Sequence, residues 1–149
     1  MAGKTDVFEL DVVKLIFNGT AIANIADNAA SAPLTNLYVS LHTADPTDAA
    51  ASGQNTNETT YTGYARVAVA RTTGGWTCAT ATGVTTVIPV ANITFGQCTA
   101  GTATITHVGI GTAASGTGKL LFSGSLSPSI SVTTGVTPQL TTASTITED

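Results

Sequence analysis

The sequence predicts an all-β fold: a jelly-roll-like β-sandwich of about seven or eight antiparallel strands with one short N-terminal helix. Three observations predict it. Short runs of alternating apolar and polar residues follow one another after residue 36, with Gly, Pro, Asn and Ser turn signals about every 8–12 residues. Thr, Ala and Gly supply 30, 22 and 15 of the 149 residues, and Thr, polar and β-branched, suits the solvent face of a pleated sheet. Charged residues make up 9%, against roughly 25% in an ordinary domain, and between Thr72 and Thr147 the single one is Lys119.

The elements follow in order. Asp6 can cap a helix, with Glu9 as its capping-box partner. Phe8, Val12, Leu15 and Ile16 then fall on one apolar face, widened by Leu10, Val13 and Phe17. Asn18-Gly19 stops the helix, glycine supplying the left-handed residue. Residues 23–34 read as a connector. Leu37, Val39 and Leu41 alternate with polar residues, as in a half-buried strand. Residues 44–62 form a long surface loop with no large apolar residue before Tyr61, and such loops tend to be contact elements or mobile segments.

Strands then succeed one another. Tyr64–Arg71 places Ala65, Val67 and Val69 on one face and carries Arg66 and Arg71, two of only five cations. Gly74-Gly75 turns the chain into Trp76–Thr82. Residues 85–95 form one strand or two, with Pro89 at an edge or bend. Thr102–Thr112, Lys119–Leu126, Ser129–Thr133 and Gln139–Thr147 complete the set. The length and the absence of a repeat indicate one domain, residues 1–149, with a helical arm at 1–19.

The same composition excludes several functions. Five cations and a net charge of −4 argue against a nucleic-acid partner, which needs many cations to displace counterions. No apolar run approaches the ~20 residues of a membrane-spanning helix. Charges at Glu9, Asp11 and Lys14 would interrupt the apolar region of a signal peptide.

Residues that carry chemistry are sparse. His42 and His107 lie in strands without other ligands at metal spacing, so no metal is expected. Cys78 and Cys98 would face each other only in a hairpin centred near Ile88, and reduced buried thiols are favoured. Gly111–Lys119 lacks the glycine and hydroxyl spacing of a phosphate loop and leads into a strand, so it reads as a hairpin turn. Glycoside hydrolysis needs two acids flanking a cleft; the acids here lie on the helix, loops and tail, and none lies inside a predicted strand of the sandwich. No catalytic residue, cofactor or metal is expected. Tyr61, Tyr64 and Trp76 could cluster near the long loop, but Trp76 reads first as a core plug.

The ordered motifs add a resemblance. They are Leu37–Pro46 (LYVSLHTADP), Gly63-Tyr64-Ala65-Arg66, Trp76, Ile93-Thr94-Phe95, Thr104–Ile110 (TITHVGI), Gly118–Leu126 (GKLLFSGSL) and Thr145–Glu148. As a series they resemble small virion structural proteins of tailed bacteriophages, often labelled tail fibre proteins and similar to capsid decoration, or cement, proteins. The resemblance implies a structural part of the virion with no catalysis. Between the two roles it implies, the compact size and the lack of a shaft-like repeat favour capsid decoration. The partners would be the major capsid protein and copies of itself in a homo-oligomer. Tail proteins and host attachment are the alternative. Candidate contact residues are Phe8, Val12, Leu15, Ile16 and Phe17 on the helix, Asp45, Asp48, Glu58 and Tyr61 on the loop, and Arg66 and Arg71 beyond it.

Overall fold

A computed structural model of the chain describes residues 6–22, 25–26, 33–47 and 53–148. It begins with helix α1 (Asp6–Val13), which continues as a π-helical turn, Lys14–Asn18. The strands are β1 (Asn36–His42), β2 (Val67–Ala70), β3 (Trp76–Ala81), β4 (Val84–Pro89) and β5 (Ile93–Thr94), then β6 (Ala103–Gly111), β7 (Leu120–Val132), β8 (Gln139–Leu140) and β9 (Ile146–Glu148). The architecture is all-β and sandwich-like, with one short N-terminal helix. The strands form three sheets, ordered β2-β1-β6-β7, β3-β4-β9 and β5-β8.

Contacts divide the chain into two compact units. One comprises Met1–Thr35, Ala70–Asn92 and Leu140–Asp149; the other comprises Asn36–Val69 and Ile93–Gln139. The chain therefore passes from one unit to the other four times.

In the first unit, α1 and its π-turn pack on the β3–β4 hairpin. The face turned inward is Glu9, Val13 and Phe17, at 4%, 1% and 0% exposure. It is not the Phe8, Val12, Leu15 and Ile16 face that the spacing favours. Phe17 meets Trp76 edge to face, ring centroids 5.0 Å apart, and Trp76, 1% exposed, is the core plug. The Glu9 carboxylate accepts from Thr85 Oγ1 on β4 at 3.2 Å; the Asp6 side chain, its expected capping partner, lies outside the described residues. The stop is as expected: Gly19 takes φ 64°, and its N–H closes on the Lys14 carbonyl.

Arg71 completes that end of the helix. Its Nε and Nη2 donate to the carbonyls of Ile16 and Leu15, both at 2.5 Å. A cation on the last carbonyls satisfies groups without intrahelical partners and meets the negative end of the helix dipole.

In the β3–β4 hairpin Cys78 faces Val87. The hairpin closes at residues 82–83, well short of Ile88, so Cys98 is not opposite. Cys98, fully buried in the second unit, donates to the Ala100 carbonyl at 3.3 Å. Both thiols are free, and burial pushes Cys78 up to about 11.

The second unit is built on β1 and β6, antiparallel with Val39 opposite Ile110 and His42 opposite His107. Leu37, Val39 and Leu41 are at most 1% exposed, as the alternation predicts. Ser40 and His42 are at 0%, so the end of β1 is covered on both faces and not on one. β7 is a single strand where the sequence suggests two. Between the pairs His107↔Ser125 and Ile105↔Ile130, β6 advances two residues and β7 five. The excess holds Pro128, which has no N–H for the ladder and is tolerated in such a bulge. Arg66 and Arg71 flank β2 and are not in it.

Candidate functional site

The most developed polar constellation sits in the second unit, where residues 53–66 meet the β6–β7 turn. Its floor is an ion pair. Arg66 donates from Nε to Glu58 Oε1 and from Nη2 to Glu58 Oε2, both at 2.7 Å, the forked geometry that guanidinium and carboxylate share. The side chains are 2% and 13% exposed, Arg66 and Glu58 respectively. Arg66 also donates from Nη1 to the Ala113 carbonyl at 2.9 Å and from Nη2 to Gly116 at 2.6 Å. One guanidinium thus ties the loop to the turn.

Tyr64 adds a third member. Its hydroxyl donates to Glu58 Oε1 at 2.7 Å and accepts from the Leu41 N–H at 3.1 Å. Burial first, and then the bond to Glu58, keep the phenol protonated well above the usual tyrosine range. The hydrogen bond to Glu58 holds Arg66 more firmly charged than a free guanidinium. The cluster is a closed set of complementary donors and acceptors.

Beside it Gln54 is fully buried. Its Nε2 donates to the Tyr38 carbonyl at 2.7 Å, and its Oε1 accepts from the Ala113 N–H at 3.3 Å. Gly111 makes room for it, since a Cβ there would collide with the Gln54 carboxamide. This part of the long loop belongs to the core, contrary to the expectation of a surface loop. A polar residue carries the anchor, which hydrophobic patterning does not reveal.

His42 holds the loop from the other side. The Thr56 carbonyl can only accept, so His42 Nδ1 donates to it, at 2.8 Å. That leaves Nε2 to accept from the Ser40 hydroxyl at 2.9 Å. Burial lowers the pKa of His42; Thr56 and Glu58 oppose the shift, while Arg66 and His107 add to it. The unfolded chain takes up this proton near 6.5 and the folded chain resists it. Stability from neutral His42 is complete above that pH and is lost as pH falls below it. We expect a lower urea midpoint at pH 5.0 than at pH 7.5, with the difference reduced in His42→Gln.

Above the cluster lies a cleft of about 430 Å³, lined in part by Asn55, Thr59, Tyr61, Ala65 and Ser115. Tyr61 is 5% exposed and packs on Tyr64, which stacks near Phe95. Trp76 is not part of this aromatic group; it belongs to the first unit. Among the described residues no three His, Cys, Asp or Glu side chains come together as a metal site would require.

The sequence candidates thus separate. Glu58, Arg66 and Tyr61 come together at the cleft. Asp45 is exposed, and its Oδ1 accepts from the Thr47 N–H at 2.9 Å. Asp48 lies outside the described residues. Phe17 and Arg71 are occupied within the first unit, Phe17 with its whole side chain in the core. Val12, Leu15 and Ile16 are half-buried, while Phe8 stays 39% exposed beside Val7 at 72%. Gln54 and Tyr64 are the residues that sequence reasoning passed over as anchors.

A model of the gp80 family, described as podophage GP4 fiber I protein gp80, matches residues 6–147. The chain belongs to the gp80 family. It is therefore a structural protein of the bacteriophage virion, of tail-fibre-like type. No curated protein matches it significantly. The gp80 match spans both compact units, including the helix, the Glu58–Arg66 cluster and β7.

Proposed function

We propose that this protein is a component of the phage tail fibre that works by protein–protein contact and not as an enzyme. The observation that carries this reading is the match to a fibre family over nearly the whole chain. It shifts the choice from capsid decoration, which compactness favoured, to the fibre. The cluster chemistry supports a mechanical role. Arg66, Glu58 and Tyr64 bond to one another and to backbone carbonyls and amides, and a charge already committed to a partner makes a poor acid or base. The proposed partners are neighbouring tail proteins and further copies of the chain.

The exposed apolar end of α1, Val7 and Phe8, is the proposed contact for a neighbouring tail protein. Immunogold labelling of intact particles should place the protein on the tail; label over the head would favour the cement reading. Phe8→Asp should lower its occupancy on particles several-fold without moving its thermal midpoint. Unchanged occupancy would remove the helix from the interface.

A further inference from the structure

We infer that the cleft above the Glu58–Arg66 pair is a binding site for a neutral pyranoside. This goes beyond the contact role above and does not depend on where on the particle the protein sits. At about 430 Å³ the cleft falls within the range of small-molecule sites, about 300–1,000 Å³. Its two walls, residues 55–66 and 114–116, are tied together by the bonds from Arg66 to Ala113 and Gly116, so a ligand need not order them.

Thr59 is the residue that points to a ligand. It lines the cleft and is 3% exposed, yet its Oγ1 has no hydrogen-bond partner among the described residues. A buried hydroxyl left unpaired is costly, and native structures seldom leave one. A ligand hydroxyl, or a water held beneath it, supplies the partner. The charges set the class of ligand. The Arg66 side chain is 2% exposed, and four of its five N–H groups already donate. It has little left for a phosphate or carboxylate, and its charge offsets that of Glu58 against a cation. Glu58 accepts three hydrogen bonds of the about four that a carboxylate can take, which leaves one for a ligand hydroxyl. Around it Asn55, Thr60 and Ser115 are exposed, and their side chains make no hydrogen bond among the described residues. Their amide and hydroxyl groups both donate and accept, as sugar hydroxyls do. Tyr64, half-buried, and the methyl group of Ala65 give apolar surface to the C–H face of a ring.

Amide NMR titration of the full-length protein tests this. The probes are the methyl pyranosides of glucose, galactose, mannose and N-acetylglucosamine, taken to high millimolar concentration. At least one should give saturating shifts centred on Thr59, Thr60 and Ser115. Thr59→Val should weaken that glycoside about fivefold and leave the urea midpoint of the free protein level or higher, since the hydroxyl it removes has no partner among the described residues. A hydroxyl kept for structure alone would move the midpoint and not the affinity. Ala114→Trp, at an exposed position of the β6–β7 turn, should fill the cleft and abolish binding with circular dichroism unchanged. The proposal is overturned by a lack of saturation with all four glycosides, by the same shifts with glycerol, or by a response at these amides to phosphate or tetramethylammonium alone. An affinity indifferent to both Thr59→Val and Ala114→Trp would overturn it equally.

Discussion

Trp76→Ala is expected to cost about 3–5 kcal/mol of stability, enough to unfold much of the protein at ordinary temperature. The side chain is 1% exposed and is the largest of those fully enclosed. Its removal takes away the edge-to-face contact with Phe17, itself worth about 0.5–1.5 kcal/mol beyond area burial. It also leaves a cavity beneath α1 that a short helix cannot close. Trp76→Phe should cost much less. It keeps an aromatic ring against Phe17, and the indole N–H that it discards has no hydrogen-bond partner among the described residues. Urea titration followed by far-ultraviolet circular dichroism measures both variants. Equal losses would show that the aromatic contact is not what holds the helix down.

The second large effect is at Arg66. Arg66→Ala should cost about 2–4 kcal/mol, near the range for breaking a buried pair but eased by the partial exposure of Glu58. The loss has several sources. Glu58 keeps its charge without its partner, and the carbonyls of Ala113 and Gly116 lose their donor. Arg66→Lys should recover only a minor part, since one ammonium cannot reproduce a fork to the carboxylate and two further carbonyls. Replacing both members, Arg66→Met with Glu58→Leu, should cost less than Arg66→Ala alone, because no stranded charge remains. Denaturant midpoints of the three variants test the order. A double variant worse than the single would mean that Glu58 contributes mainly through Tyr64.

These two sites differ in how far the sequence exposes them. Trp76 is legible, because a lone tryptophan at the start of an alternating strand in an aromatic-poor chain has little else to do. The Gly19 stop, the β1 alternation and the turn at Gly74-Gly75 are legible for similar local reasons. The inward face of α1 was not. Glu9 looks like a capping residue, yet it lies on the Val13 and Phe17 side and is carried inward by its bond to Thr85, 76 positions away. The Glu58–Arg66 pair sits eight residues apart with a reversal between, and no periodicity signals it. Gln54 is harder still, being a polar anchor whose socket is made by glycines some 60 residues on. The facing of His42 and His107 depends on strand register, which alternation alone leaves open. Local rules therefore recover the strands, while the cluster that fixes the long loop arises from contacts between distant segments.

The four passages of the chain between its two compact units have a consequence for inheritance. Neither unit corresponds to an uninterrupted stretch of gene. Phages that trade segments by recombination cannot exchange one unit by a single crossover and keep the other intact, because a cut anywhere from residue 36 to 139 divides at least one of them. The coding sequence should therefore travel between genomes as a whole cassette, with its variable breakpoints outside it.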